Sequence, residues 1–108
     1  MTHIQFQDFA RMDLRIGRVK EVSDHPDAQK LYVLRVDLGD REIQLVAGLK
    51  EHYSPQDLLE KEIVVVANLE PRSLRGIESQ GMLLAAQCGE TVSVLTVDRP
   101  VEAGSPVR

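Results

Sequence analysis

The run Ile63-Val64-Val65-Val66-Ala67 constrains this chain most. β-branched side chains are stiff at χ1 and fit a pleated surface, and five residues are too few for a buried helix, so the run predicts a core strand. The polar stretch Asn68 to Gln80 follows, broken by Pro71 and Gly76, so it predicts an ordered, exposed loop rather than one long helix or strand. Met82 to Ala86 then reads as a second short apolar run, a strand buried in a barrel or sandwich. A polar loop held at both ends by rigid strands is where a binding site is expected.

At 108 residues the chain predicts a single domain with a real core. With no Trp, two Phe and two Tyr, that core must be built from Val, Leu, Ile and Ala, which favours a small β-barrel or sandwich. The single cysteine, Cys88, can form no internal disulfide and reads as a small buried hydrophobe near a strand end. Residues 1–20 carry no long apolar segment and no signal-peptide layout, so a cytoplasmic location without a membrane is expected. A net charge of −4 argues against coating nucleic acid by charge alone. The charge is uneven, however: residues 1–35 hold six Arg and Lys against five acids, whereas residues 36–67 hold three against seven. A polyanion should therefore prefer the N-terminal strands.

Asp8-Phe9-Ala10 predicts one turn that docks Phe9. Met12, Leu14 and Ile16 alternate with Arg11, Asp13 and Arg15, giving a strand with one dry face. The parity shifts past Gly17, where Val19 is apolar, and a glycine bulge there would restore one outward face shared by Arg15, Arg18 and Lys20. After the loop Asp24 to Lys30, a second strand (31–38) puts Leu34, Val36 and Leu38 inward, Gly39-Asp40 makes a hairpin, and a third (41–47) puts Ile43, Leu45 and Ala47 inward. Ser54-Pro55-Gln56-Asp57 is a helix start, with a cap, proline at the first position and an acid at the positive end of the dipole. Five short strands with a helix between the third and fourth predict an all-β, five-stranded OB-fold barrel. It spans about residues 1–87, and a C-terminal β extension over about 88–108 packs on the barrel, builds a subunit interface, or both.

No catalytic constellation is visible. His3, His25 and His52 lie far apart without ligand-spaced partners, Ser79 lacks the first glycine of a nucleophile elbow, and no phosphate-cradling glycine loop occurs. The chain is therefore read as a non-enzyme without metal or cofactor. Binding chemistry is better supplied. Asn68, Ser79 and Gln80 offer neutral donors and acceptors, and Arg72 and Arg75 offer planar forks for phosphate or stacking. The same two arginines could equally be solvated and paired with Glu70 and Glu78.

Asp13-Leu14-Arg15-Ile16-Gly17, His25-Pro26-Asp27-Ala28 with Lys30-Leu31, Tyr53-Ser54-Pro55, and Val66 to Leu69 through Arg75 to Met82 together resemble the tRNA-binding domain family over nearly the whole chain. That family includes C-terminal appendages of methionyl-tRNA synthetases and freestanding proteins of about this length. A start at Met1 and the lack of synthetase motifs favour the freestanding kind. The resemblance implies an OB-fold that recognises tRNA by shape, without catalysis, as a homodimer built through the C-terminal extension. It implies RNA contacts at Lys30, Asn68, Arg72, Arg75, Ser79 and Gln80, with Arg15 and Arg18 as outer contributors. Pro71, Gly76 and Gly81 would shape the loop and Met82 would anchor it. Fewer lysines than many members carry, together with Asp24, Asp27 and the acidic middle, predict a modest, salt-sensitive affinity. The alternatives are a secretion-chaperone-like module that holds an unfolded polypeptide, and a trans-acting cofactor of an aminoacyl-tRNA synthetase.

Overall fold

The computed structural model describes residues 2–108. Its strands are β1 (Leu14–Asp24), β2 (Tyr32–Asp37), β3 (Glu42–Ala47), β4 (Glu62–Val66), β5 (Arg72–Leu74), β6 (Ile77–Ser79), β7 (Met82–Leu83), β8 (Ala85–Cys88) and β9 (Thr91–Val94), with helices α1 (Phe6–Ala10) and α2 (Pro55–Leu58). The main sheet is antiparallel in the order β3-β2-β1-β4-β7. Its two ends meet through residues 79–81: Gln80 N donates to Gln44 O (2.8 Å), Gln44 N to Gln80 Oε1 (2.8 Å), and Val46 N to Ser79 Oγ (3.0 Å). The result is a nearly closed, all-β, OB-like barrel.

The alternation of β2 and β3 is as the sequence predicts. Leu34, Val36 and Leu38 are fully buried, Ile43 and Leu45 nearly so, and Leu38 N bonds Arg41 O across the Gly39-Asp40 turn at 2.8 Å. The helix between the third and fourth strands also forms. Ser54 and Asp57 make a reciprocal capping box and Pro55 sits at the start, while Leu58 plugs the core with no exposure.

Strand β1 departs from expectation. Its register with β4 runs unbroken from Leu14↔Val66 to Arg18↔Glu62, and the irregularity lies later, between Val19 and Glu21 where it pairs with β2. Gly17 therefore faces the core with Val19, where a β-carbon would stand 2.4 Å from Val36 Cγ1 and 3.2 Å from Val65 Cγ2. Leu14 and Ile16 take the opposite face with Val64 and Val66, and all four are buried outside the main core cluster. The change of parity at Gly17 marks a strand with two dry faces rather than a bulge. Arg15 and Arg18 consequently point to opposite sides, not to one shared face.

The C-terminal segment completes this first half of β1 along the edge that β2 leaves open. Ile16 N donates to Ser105 O, Gly104 N to Ile16 O and Val107 N to Leu14 O, at 2.7–2.9 Å. Gly104 (φ +91°) fits under the β2–β3 turn because its missing β-carbon would lie 2.3 Å from Leu38 O. Upstream, β8 and β9 form a ribbon that brings Val94 into the core, and Tyr53 Oη accepts from Val94 N at 3.1 Å. The run Met82 to Ala86 is thus not one buried strand: only Met82–Leu83 pairs with β4, and Ala85–Cys88 is exposed, Cys88 included. Phe9 does not dock either. It packs on Phe6 (centroids 6.3 Å apart) while Phe6 stays 78% exposed. Among the described residues no helix is long and apolar enough to cross a membrane.

Candidate nucleic-acid interface

The loop between the two core strands contains a hairpin of its own. β5 and β6 pair as Arg72↔Ser79, Ser73↔Glu78 and Leu74↔Ile77, and Arg75-Gly76 is the turn, with φ of 53° and 87°. Two consecutive positive φ values are what a tight, right-twisted two-residue hairpin requires. Gly76 supplies the second without strain, whereas Arg75 is held in the left-handed region at some conformational cost. The sequence signal was weak because arginine is not a usual first residue of such a turn.

The polar residues at the hairpin's base are engaged by the protein. Ser79 is 6% exposed, and its Oγ accepts from Val46 N and donates to Gly81 O (3.0 Å each). Gln80 bonds β3 through both backbone and side chain. Asn68 Oδ1 accepts from Asp13 N (2.9 Å) and Nδ2 donates to Arg11 O (2.8 Å), tying the loop's start to the segment before β1. A β-carbon on Gly81 would approach Val66 O to 2.8 Å, so the chain turns into β7 only with glycine there. Pro71, between the end of β4 and β5, is exposed, and Met82 is half-exposed beside Val66, its register partner.

The hairpin's cations stand in a different condition. Among the described residues neither Arg72 nor Arg75 makes a salt bridge or side-chain hydrogen bond, and Glu70 and Glu78 pair with neither. Arg75 lines a cleft of about 490 Å³ with Asp27, Ala28, Gln29, Lys30 and Leu31, so the fold brings Lys30 and Arg75 together. Lys30 is 75% exposed, and its one carboxylate contact, Glu51 at 4.0 Å, is long. The walls of this cleft come from the β1–β2 loop and the hairpin, and one buried imidazole joins them. His25, 4% exposed, lies 2.9 Å from Leu74 O through Nε2, and its Nδ1 accepts from Asp27 N at 3.0 Å.

Arg15 and Arg18 lie outside that cleft. Arg15 Nε bonds Asp13 (3.0 Å) and its Nη1 bonds Asp40 (3.1 Å), while Arg18 bonds Glu62 at 2.9 Å. The hydrogen bond from Arg15 holds the Asp40 carboxyl below its ordinary range, and the two carboxylates raise Arg15 further above its own. Their charge is already compensated. On this protein of net −4 the β1 arginines are thus matched by neighbouring carboxylates, whereas the two arginines of the hairpin are not.

Residues 14–106 match the family model described as "Putative tRNA binding domain". The chain is 56% identical over its full 108 residues to a methionine–tRNA ligase of Pyrococcus horikoshii, and it spans only 15% of that protein's length. Among solved structures it superposes on a MetRS-related protein from Pyrococcus horikoshii with a TM-score of 0.94 at 31% identity, covering both chains completely. It also superposes on the CsaA chaperone protein from Picrophilus torridus with a TM-score of 0.91 at 32% identity, over 98% of this chain and all of that one. A sequence match over nearly the whole barrel and end-to-end superposition lead to one conclusion: this chain belongs to the tRNA-binding domain family.

Proposed function

We propose that this chain binds folded tRNA by shape, without catalysing a reaction, and that it does so as a homodimer. The observation that carries the reading is the cationic set of unpaired Arg72 and Arg75 on the hairpin with exposed Lys30 across the cleft from Arg75, on a domain whose β1 arginines are paired. Guanidinium forks suit phosphate and can stack on splayed bases, while Ser79, Gln80 and Asn68, bonded within the protein, support the loop that displays them. With about three to five phosphate contacts per protomer, affinity should fall with salt at a log–log slope of roughly −0.7 to −0.9 per contact. Anisotropy titrations with folded tRNA, a plain duplex and a single strand test this. Preference for tRNA with that salt dependence supports it, and equal, salt-insensitive binding to all three overturns it.

Besides the C-terminal extension (about 88–108), where the subunit interface is expected, the dimer reading rests on a partly apolar surface that the single chain leaves open. Met12, Leu69 and Met82 are each more than 40% exposed and line one depression with Val66, beside α1 with its exposed Phe6. Exposed apolar side chains gathered in one depression, here rimmed by Asp8, Arg11 and Asn68, suit a partner surface. Sedimentation of the full chain should give a dimer that Phe6→Glu with Met82→Glu converts to monomer; a monomeric wild type at micromolar concentration overturns it.

A second reading is favoured by the superposition on a chaperone of similar size. Under it the chain holds an unfolded polypeptide, so stoichiometric suppression of client aggregation without tRNA binding would decide for it. Service as a trans-acting synthetase cofactor would show as co-purification with that enzyme.

A further inference from the structure

We infer that His25 is a positioning residue for the cationic site: its ring clamps the β1–β2 loop that carries Lys30 to the peptide group that carries Arg75. The inference rests on the tRNA-binding reading and adds a residue that makes no contact with RNA itself. His25 is one of two buried polar side chains among the described residues, and the other, Ser79, supports the same hairpin from its far end. Asp27 N–H donates to Nδ1 at 3.0 Å, so that nitrogen carries no proton and the ring hydrogen sits on Nε2. Nε2–H then donates to Leu74 O at 2.9 Å. That carbonyl belongs to the peptide unit joining Leu74 to Arg75, where the backbone turns into the left-handed region at φ 53°. One neutral imidazole therefore fixes two things at once. It sets the course of the loop at Asp27, three residues before Lys30, and it holds the plane from which the Arg75 side chain departs.

The two bonds can be separated by substitution. The amide of His25→Asn places an acceptor near Nδ1 and keeps the Asp27 contact, but cannot reach Leu74 O. His25→Gln places a donor near Nε2 and restores the tie to the hairpin. Both leave the charge of the neutral ring unchanged.

The test is tRNA affinity at several salt concentrations for wild type, His25→Asn, His25→Gln and Arg75→Ala, and for His25→Asn combined with Arg75→Ala. We expect His25→Asn to weaken binding roughly tenfold and to flatten the salt slope by about 0.7–0.9, the loss of one phosphate contact. His25→Gln should recover most of the affinity, and His25→Asn should have little further effect once Arg75 is gone, because coupled sites are non-additive. A structural role alone would not move the salt slope or vanish with Arg75. Wild-type affinity in His25→Asn, or an undiminished loss in the Arg75→Ala background, overturns the inference. Should His25→Asn fail to fold, His25→Ala beside His25→Gln decides: affinity lost with alanine and recovered with glutamine supports the clamp, and equal affinity in the two overturns it. Wild type that binds through Lys30 and Arg75 while ignoring His25 overturns only this inference, whereas wild type that ignores tRNA overturns the proposed function as well.

Discussion

Strand β1 and the β5–β6 hairpin each display two arginines, yet the two pairs are in opposite states. On β1, Arg15 lies 3.0 and 3.1 Å from Asp13 and Asp40, and Arg18 lies 2.9 Å from Glu62. On the hairpin, Arg72 and Arg75 have no such partner among the described residues. The strand also buries both faces over Leu14 to Gly17, whereas the hairpin buries little beyond Ser79. Charge count by segment therefore misleads: the N-terminal region holds more cations, but its β1 arginines are paired while both arginines of the hairpin are free of carboxylate partners among the described residues. Substitutions on β1 should read out as stability and substitutions of the hairpin's two arginines as binding.

The largest effect that checks this contrast is Gly17→Val. A β-carbon there meets Val36 at 2.4 Å, and two further methyl groups have nowhere to go. Loss of about 3 kcal/mol is expected from overpacking, and urea melts would read it. A variant as stable as wild type would mean that β1 is not clamped between two packed faces.

On the hairpin side, Arg72→Ala with Arg75→Ala should weaken tRNA binding by about 1–3 kcal/mol in total, with the melting temperature nearly unchanged because both side chains are exposed and unpaired. A large fall in melting temperature would show that the arginines hold the hairpin together. Ser79→Ala sharpens the division from the other direction. It leaves Val46 N–H and Gly81 O without their hydroxyl partner, so about 1–2 kcal/mol of stability should go. Affinity for tRNA at a temperature where the variant is folded should change little; a loss of affinity equal to that of the arginine pair would move Ser79 into the RNA contact surface.

The smallest effect is electrostatic. Arg15 depresses the Asp40 carboxyl, so its folded value lies below the ordinary 3.8. A depressed acid contributes stability that is present above its unfolded value and lost as pH falls through the folded one. Stability should therefore decline below about pH 4, and Asp40→Asn should shave a small part off that decline. Thermal melts between about pH 3 and 6 would show it. An identical acid profile in wild type and Asp40→Asn would mean that solvent screens the pair completely, as it does many exposed ion pairs.

The alternation of β2 and β3, the Gly39-Asp40 turn and the capped α2 were legible because each depends on neighbours in sequence: a period of two, a glycine of the right handedness, a serine three residues from its aspartate. Misreadings arose where contacts are remote. A bulge at Gly17 is a reasonable inference from the parity of Ile16 and Val19, but the residue's true constraint is Val36 on another strand. The polar string Asn68 to Gln80 concealed a hairpin because its turn relies on Arg75 in an uncommon conformation. The resemblance to the tRNA-binding domain family located the loop as the feature of interest. Chain composition could not say which of its polar groups are spent on the fold.

By itself the sequence determined a small β-barrel without large aromatic filling, closed around Ile63 to Ala67 and carrying a polar loop between two of its strands. Local stiffness, turn chemistry and capping decide those features, and all act over a few residues. Only the tertiary structure decided which charges are free. Pairing of Arg15 with Asp40 spans 25 positions and that of Arg18 with Glu62 spans 44, while His25 reaches 49 positions to Leu74. Compensation of charge depends on distance in space, and distance in space is settled when the strands find their register.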